Sequence, residues 1–233
     1  MSVLQFDGTN TNYIEIPDHA AFSVATTGSL SVSAWMRPDT LSFPIAQSDG
    51  SGDNAYIHWM GKGEDDQQEW TFRMYNDDPL HARPNRISFY VFNPKPPAGS
   101  ATNLGVGAYF QDSVTVGEWI HVVGVADGGQ KATLIYKNGV LRNQQLWSKE
   151  SIVPGHGTSP LRIATRDLKS FFLGAIRGVR FWNRALTADE VQKLYTHVIP
   201  PDGLVAAFEL SRDSVPDSAG GHNGQLNAGT WTP

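Results

Sequence analysis

The segment from Gly174 to Tyr195 constrains the fold most, because a strand pattern in it runs directly into a short helix pattern. In the helix half, Thr187 is a favourable N-cap residue, and Glu190 three positions later completes a capping box. The apolar side chains of the strand half are Ile176, Val179 and Phe181. The apolar stripe of the helix half consists of Leu186, Val191, Leu194 and Tyr195. The pattern predicts a helix over 188–197 that buries one face.

Short strand patterns bounded by turn residues fill most of the remaining chain. They lie at 3–6, 13–17, 30–36, 54–60, 69–75, 86–92, 119–126, 132–136, 161–164, 173–182 and 204–210. One helix among about a dozen short strands predicts an all-β fold, a sandwich of two antiparallel sheets with a short helix towards the C-terminal side. The 233 residues suffice for one such sandwich with a sizeable core.

Charge and composition narrow the range of partners. The net charge is −5 and no block of Lys and Arg stands out, so nucleic acid and anionic membranes are poor candidates. No apolar run approaches the length of about 18 residues that a membrane span needs. The first residues, Met1–Phe6, lack the pattern of a secretory signal. The chain has no cysteine, so the fold needs no disulfide and thiols do not indicate the compartment.

Five blocks of the sequence occur in the order and spacing of a known family. They are 4–17, 29–39, 117–126, 134–139 and the strand–helix segment 174–195. Together they resemble laminin-G-like, concanavalin A-type jelly rolls over residues 3–197. The resemblance implies a jelly-roll sandwich and an extracellular or cell-surface location. It does not name a function, because the fold carries lectins, carbohydrate-binding modules, adhesion domains, hydrolases and polysaccharide lyases.

The sequence predicts one jelly-roll domain over 1–198 and a tail over 199–233. The sharpest boundary signal is the turn-rich stretch 199–203. The tail stretches 203–210 and 217–224 resemble the lead-in that commonly precedes such a domain, although here they follow it. Either the tail adds a strand to the same sandwich, which the apolar run 204–210 favours, or it begins a further module.

Oxygen-bearing residues of the first turn and of the tail form a possible calcium site, at Asp7, Asn10, Asn12 and Asp217. Calcium prefers carboxylate, amide and carbonyl oxygens supplied by turns. The same residues are also ordinary turn formers. The resemblance argues against the ion, because the family often has an acid where this chain has Arg177.

Three strand patterns in the middle of the chain, at 54–60, 69–75 and 86–92, each have one side of polar and aromatic residues. Alternation sends the apolar side to the core and leaves the other facing outward. Sugars are bound by ring stacking together with directional hydrogen bonds, which these side chains supply. A solvent-facing sheet also carries polar residues without any ligand. The predicted ligand-binding residues are Tyr56, His58, Arg73, Tyr75, Arg86, Tyr90 and, after a hairpin, Trp147.

Two long polar stretches, 76–85 and 93–103, are the predicted rim of this site, since binding residues concentrate on loops held by a rigid scaffold. Trp147 is either an exposed ring of the site or a plug at the edge of the sandwich.

Catalytic signatures are weak. The chain has no cysteine nucleophile, no G-x-S-x-G elbow and no strand with the carboxylate pair of a glycosidase. We therefore expect non-catalytic binding of a polysaccharide or glycoconjugate. One alternative is a lyase for uronate polymers, with Tyr90 or His58 as base and Arg73 or Arg86 neutralising the acid. The other alternative is an adhesion module with a protein partner.

Overall fold

The structure of the protein is a computed structural model that describes residues 3–48, 55–65, 67–78, 83–93, 105–147, 152, 154–210, 215–227 and 230–232. The first eight strands are β1 (Val3–Asp7), β2 (Tyr13–Ile16), β3 (Leu30–Pro38), β4 (Gln47–Ser48), β5 (Ala55–Lys62), β6 (Trp70–Tyr75), β7 (Ile87–Phe92) and β8 (Gly105–Phe110). The next eight are β9 (Ile120–Asp127), β10 (Ala132–Lys137), β11 (Val140–Leu146), β12 (Leu161–Ile163), β13 (Leu173–Trp182), β14 (Leu204–Phe208), β15 (Gln225–Asn227) and β16 (Thr230–Thr232). The helices are α1 (Val24–Thr27), preceded by a 3-10 turn at Ala20–Phe22, and α2 (Ala188–Tyr195).

These strands form two antiparallel sheets, as the sequence predicts. The first sheet has the strand order β11-β10-β9-β3-β13-β1-β16, and β14 also pairs with β13. The second sheet has the order β15-β2-β12-β5-β6-β7-β8, and β4 also pairs with β5. The two sheets pack face to face, so the fold is an all-β sandwich.

Strand alternation builds the core between the sheets. Every second residue of β6 and β7 is fully buried there, and their rings contact one another, with the centroids of Phe72 and Phe89 4.7 Å apart. The predicted apolar sides of β3, β6 and β7 are confirmed as core: Leu30, Val32, Ala34, Met36, Trp70, Phe72, Met74, Ile87, Phe89 and Val91.

Helix α2 covers part of the outer face of the first sheet. Its N-terminus has the predicted capping box between Thr187 and Glu190. Its apolar side packs Val191 and Leu194 into a second apolar cluster with residues of β9, β10 and β13. The helix ends two residues before the predicted boundary. The outer face of the second sheet carries no helix in the described part of the chain, which leaves it as the open face of the sandwich.

The tail contributes strands to both sheets. Strand β14 pairs with β13, β15 pairs with β2, and β16 pairs with β1. None of the helices in the described ranges is long and apolar enough to cross a lipid bilayer.

Candidate functional site

The outer side of β5, β6, β7 and β8 gathers the polar-aromatic residues that the sequence singles out. The strand register places Tyr56 opposite Tyr75, His58 opposite Arg73, and Tyr90 opposite a glycine of β8. We call this surface the arginine–tyrosine face, defined by Tyr56, Arg73, Tyr75, Tyr90 and Tyr109.

Arg73 lies at the centre of the arginine–tyrosine face. Its guanidinium carbon is 4.8 Å from the ring centroids of both Tyr56 and Tyr90, and 5.6 Å from that of Phe92. Its Nε donates a hydrogen bond to Nε2 of His58, at 3.1 Å. Within the described residues, its two Nη atoms have no hydrogen-bond partner, and the side chain is half-buried. The guanidinium is therefore held in place while two of its nitrogens remain available.

His58 is fully buried beneath this guanidinium. Its Nδ1 is 3.2 Å from Nε2 of Gln47 and 3.6 Å from Oδ1 of Asp167. Burial, together with the positive charges of Arg166 and Arg73, lowers the pKa of His58 to about 3. At neutral pH the ring is uncharged, so Nε2 can accept the hydrogen bond that Arg73 Nε–H donates.

A second arginine lies behind the first, in the turn after β12. Arg166 is 3% exposed, and its Nη2 donates to Oδ2 of Asp167 at 2.6 Å. Among the described residues, its buried Nε and Nη1 have no hydrogen-bond partner. Burial lowers the pKa of Arg166. Burial alone would raise the pKa of Asp167, but its bond to His58 and the charge of Arg166 lower it below the ordinary value.

Glycines on β8 let aromatic rings lie flat against that strand. A Cβ at Gly107 would be 2.6 Å from three ring atoms of Tyr90, and one at Gly105 would be 2.5 Å from the ring of Phe92. The two rings lie side by side, with centroids 5.9 Å apart and planes inclined by 23°. The pair forms a ring platform next to Arg73.

The remaining predicted face residues lie at the opposite end of β6 and β7. Tyr75 is buried, and its hydroxyl accepts from Nη1 of Arg83 at 3.0 Å. Arg86 lies 4.0 Å above the ring centroid of Tyr109 and donates twice to Gln111 Oε1. Tyr109 is exposed.

Trp147 lies elsewhere. Its Nε1 donates to Oγ1 of Thr133 at 2.9 Å, and that hydroxyl donates to the carbonyl of Val106 on β8. The ring is partly buried against the main core, so it fills the edge between the two sheets and is not brought to the arginine–tyrosine face. Of the predicted rim stretches, residues 79–82 and 94–103 lie outside the described residues.

The structure does not bring the four predicted calcium ligands together. Asp7 pairs with Leu173, whereas Asp217 accepts from the backbone of Ala207, which pairs with Arg180. Seven residues along β13 correspond to roughly 20 Å between the two sites.

Of the four side chains, the carboxylates of Asp7 and Asp217 already have local hydrogen-bond donors. Asp7 accepts from both Thr9 N and Thr9 Oγ1, and Asn10 is exposed. Asn12 is buried with a carboxamide oxygen that has no partner. The Asp217 carboxylate accepts four backbone N–H groups and contacts His222 Nδ1 at 2.9 Å. We therefore build no function on this set of four residues.

A different group of metal-ligating side chains meets at the end of β5. Ligand atoms of Asp18, Glu69 and His156 lie within 4.8 Å of one another. The buried ammonium of Lys62 lies among them, 2.8 Å from Asp18 Oδ1 and bonded to Glu69 Oε1, and it also donates to the carbonyls of Gly157 and Ser159. The lysine thus supplies the positive charge that these carboxylates require.

Sequence reasoning missed Arg166, Asp167 and Tyr109. The first two follow β12 in a turn and reach His58 only through the tertiary fold, so no spacing signal marks them. Tyr109 follows two glycines, Gly105 and Gly107, and that stretch has the composition of a loop. A strand places the neighbours Tyr109 and Phe110 on opposite faces, and this alternation is the signal that could have found the strand.

The lyase alternative loses its histidine base in this geometry. His58 is fully buried and both of its ring nitrogens have side-chain partners, so a polymer on the surface does not reach it. The half-buried Tyr90 is the remaining candidate base.

Comparison with known proteins places the chain in a family. A laminin-G family model, described as the concanavalin A-like lectin/glucanases superfamily, matches residues 7–192. The chain belongs to this superfamily. No curated protein matches the sequence significantly.

Solved structures share the superfamily fold at low sequence identity. A proposed carbohydrate-binding protein from Bacteroides ovatus has a TM-score of 0.65 and 16% identity, covering all of this chain and 60% of that one. A heptameric SAP-like pentraxin from Limulus polyphemus has a TM-score of 0.56 and 13% identity, covering 97% and 94%. The binding domain of botulinum neurotoxin DC, solved with SialylT, has a TM-score of 0.51 and 13% identity, covering 79% and 39%. The chain therefore spans only part of two of these proteins, and the similarity shows a shared lectin-like fold.

Proposed function

We propose that the protein is a non-catalytic glycan-binding module and that the arginine–tyrosine face is its binding site. The observation that carries this proposal is how the guanidinium of Arg73 is held. The guanidinium is fixed by stacking against two tyrosines and by one bond to His58, yet both Nη atoms lack partners within the described chain. A side chain that is held rigid with donors left over is prepared for a ligand.

The surroundings of Arg73 fit a sugar. The half-buried ring of Tyr90 lies flat against β8 and offers its other side to the apolar face of a sugar, and the buried ring of Phe92 supports it from beside. The hydroxyls of Tyr90 and Tyr109 add directional donors and acceptors. The open outer face of the second sheet gives a polymer access to these groups. The fold shared with a proposed carbohydrate-binding protein supports the same conclusion.

The test is a polysaccharide and glycan array probed with the purified protein, followed by titration of every hit. We expect binding that Arg73→Gln and Tyr90→Ala each weaken by at least about 10-fold, since each removes a charged hydrogen-bonding or stacking group. The matched control is Arg142→Gln, which removes the same charge from an exposed arginine on β11. Unchanged melting temperatures show that each variant remains folded.

Two outcomes would overturn non-catalytic glycan binding, and a third would overturn the location of the site. One is the absence of binding to any glycan, together with capture of a protein partner that Arg73→Gln does not affect, which indicates an adhesion module. The other is accumulation of unsaturated, ultraviolet-absorbing ends on uronate polymers, which indicates a lyase. Binding that survives both Arg73→Gln and Tyr90→Ala moves the site away from the arginine–tyrosine face.

A further inference from the structure

The arginine–tyrosine face has a local charge opposite to that of the whole protein. The chain carries a net charge of −5. At the centre of the face, two guanidinium groups, Arg73 and Arg166, are balanced by one carboxylate, Asp167. His58 adds no charge because its pKa lies well below neutral pH. This cluster therefore has a net positive charge in the absence of a ligand.

The geometry of Arg73 selects the kind of group that can neutralise this charge. With Nε committed to His58, the two remaining nitrogens form the forked pair of donors that matches the oxygens of a carboxylate or a sulfate. A neutral hydroxyl can occupy only one of the two positions well. The fork is also partly desolvated, which strengthens its attraction to an anion.

Arg166 provides an independent observation. Its Cγ lies over Gly61 on the same outer face, close enough to Tyr56 and Arg73 for their charges to interact. In the described part of the chain, two of its three nitrogens are buried with no hydrogen-bond partner. A buried N–H group of a cation costs free energy when it has no hydrogen-bond acceptor. An arginine with only a structural role is therefore expected to have acceptors for these groups. An anion at Arg73 would leave these N–H groups unbonded but would offset the repulsion between the two guanidinium charges.

We infer that the glycan bound here is acidic, and that its carboxylate or sulfate group is held by the paired Nη atoms of Arg73, with Arg166 behind them. The inference rests on the proposed function and names the chemical class of its ligand. The sugar ring carrying the acid lies against Tyr90.

The experiment compares polymers that differ only in the acid group. Polygalacturonate is paired with its fully methyl-esterified form, and the sulfated galactan carrageenan is paired with its chemically desulfated form. Dissociation constants are measured by affinity gel electrophoresis at low and at high salt. We expect the acidic member of at least one pair to bind at least about 10-fold more tightly, and salt to weaken that binding. Preference within the first pair identifies a carboxylate, and preference within the second a sulfate.

Variants connect the acid group to its arginine. Arg73→Gln should weaken binding of the acidic polymer about 10- to 100-fold and leave weak binding of the neutral partner unchanged. Arg73→Lys retains the charge but loses the fork, so about a 10-fold loss is expected to remain. Arg142→Gln, with the same charge change, should have no effect.

The outcomes separate this inference from the proposed function. Equal or tighter binding of the neutral members overturns the acidic ligand and leaves glycan binding in place. Equal losses for acidic and neutral polymers in Arg73→Gln also overturn it. Failure of the protein to bind any of the four polymers or any glycan on the array contradicts both.

Discussion

Two buried cations of the second sheet, Lys62 and Arg166, differ in how completely they are partnered. The Lys62 ammonium contacts two carboxylates and two backbone carbonyls, and the side chain is completely buried. Arg166 donates to one carboxylate through Nη2, and its Nε and Nη1 have no acceptor in the ranges that the structure describes.

This difference teaches how to tell a structural ion from a functional one in this fold. Burying a cation is unfavourable unless its donors find acceptors, and the Lys62 ammonium finds them among the protein's own groups, although Oε2 of Glu69 has no hydrogen-bond donor in the described chain. Arg166 does not, since two of its nitrogens have no acceptor in the described chain, and the half-buried Arg73 is close enough to interact with it. The comparison predicts that the first cation serves stability and that the second serves the proposed ligand binding.

Removing Lys62 is the strongest test of this comparison. We expect Lys62→Met to reduce the free energy of unfolding by about 3 to 5 kcal/mol, because it leaves the buried carboxylate of Glu69 without its cation. Urea denaturation at neutral pH measures the change. Lys193→Met, at an exposed ion pair of α2, is the control and should change little. A loss for Lys62→Met no larger than the control's would refute the structural role.

The pH dependence of stability tests the environment of Arg166, because burial and the charge of Arg166 lower the pKa of His58. The folded-state pKa of His58, about 3, lies below the unfolded value of about 6.5, so only the unfolded chain takes up a proton between those values. Stability that is fully present above pH 6.5 is therefore lost as the pH falls towards 3, by up to about 1.4 kcal/mol per pH unit.

The matched variant isolates this contribution. His58→Gln, measured by urea denaturation from pH 7 to pH 4, should flatten the pH dependence relative to the unsubstituted protein. His121, whose pKa burial lowers to about 4, contributes with the same sign and remains in the variant. Parallel curves for the variant and the parent would show that His58 is not held neutral by its surroundings.

Asp217 allows the same comparison for an anion, because both of its carboxylate oxygens accept hydrogen bonds from backbone N–H groups. Burial alone would raise its pKa, but backbone donors, including Ala207 and His222, lower it to about 2. The carboxylate contributes stability above its unfolded pKa of about 3.9, and that contribution is lost as the pH falls towards 2. We expect Asp217→Asn to destabilise by about 1 to 2 kcal/mol at pH 7 and by less at pH 3. A difference that does not shrink in acid would mean that the charge is not what matters.

Arg166→Met should have the smallest effect on stability, about 1 kcal/mol. Asp167 keeps its bonds from Gln47 Nε2 and from the backbone N–H of Lys169, and the two unpartnered donors disappear with the guanidinium. Binding of the acidic glycan should nevertheless weaken by about 10-fold. A stability loss as large as that of Lys62→Met, with unchanged affinity, would reverse the assignment of the two cations.

The sequence predicts the framework well because local rules decide it. Alternation in β3, β6 and β7 fixes which side chains enter the core, and the Thr187–Glu190 capping box fixes where α2 begins. The face residues Tyr56, Arg73 and Tyr90 follow from the same alternation, since a strand side that is not core must point outward. Their role in binding stays a prediction.

The features that sequence reasoning missed depend on distant neighbours. Strand β8 has glycines opposite the aromatic residues of β7. The rings occupy the space that a Cβ would need, so neither residue type can be explained from its own strand alone. Arg166 and Asp167 reach His58 across more than a hundred residues of chain, through contacts such as Gln47 with Asp167. The division of the chain at 198 likewise stays a prediction.

The pairing of β1 with β16 has a mechanical consequence. The two strands are antiparallel, and Val3 lies opposite Thr232, so pulling the two chain ends apart loads their hydrogen bonds one pair after another. The hydrogen bonds of such a pair break one after another and resist little force. Strands that are sheared along their length would instead distribute the force over all their hydrogen bonds. Under tension, the first sheet is therefore expected to lose β16 first, while the arginine–tyrosine face on the other sheet remains intact.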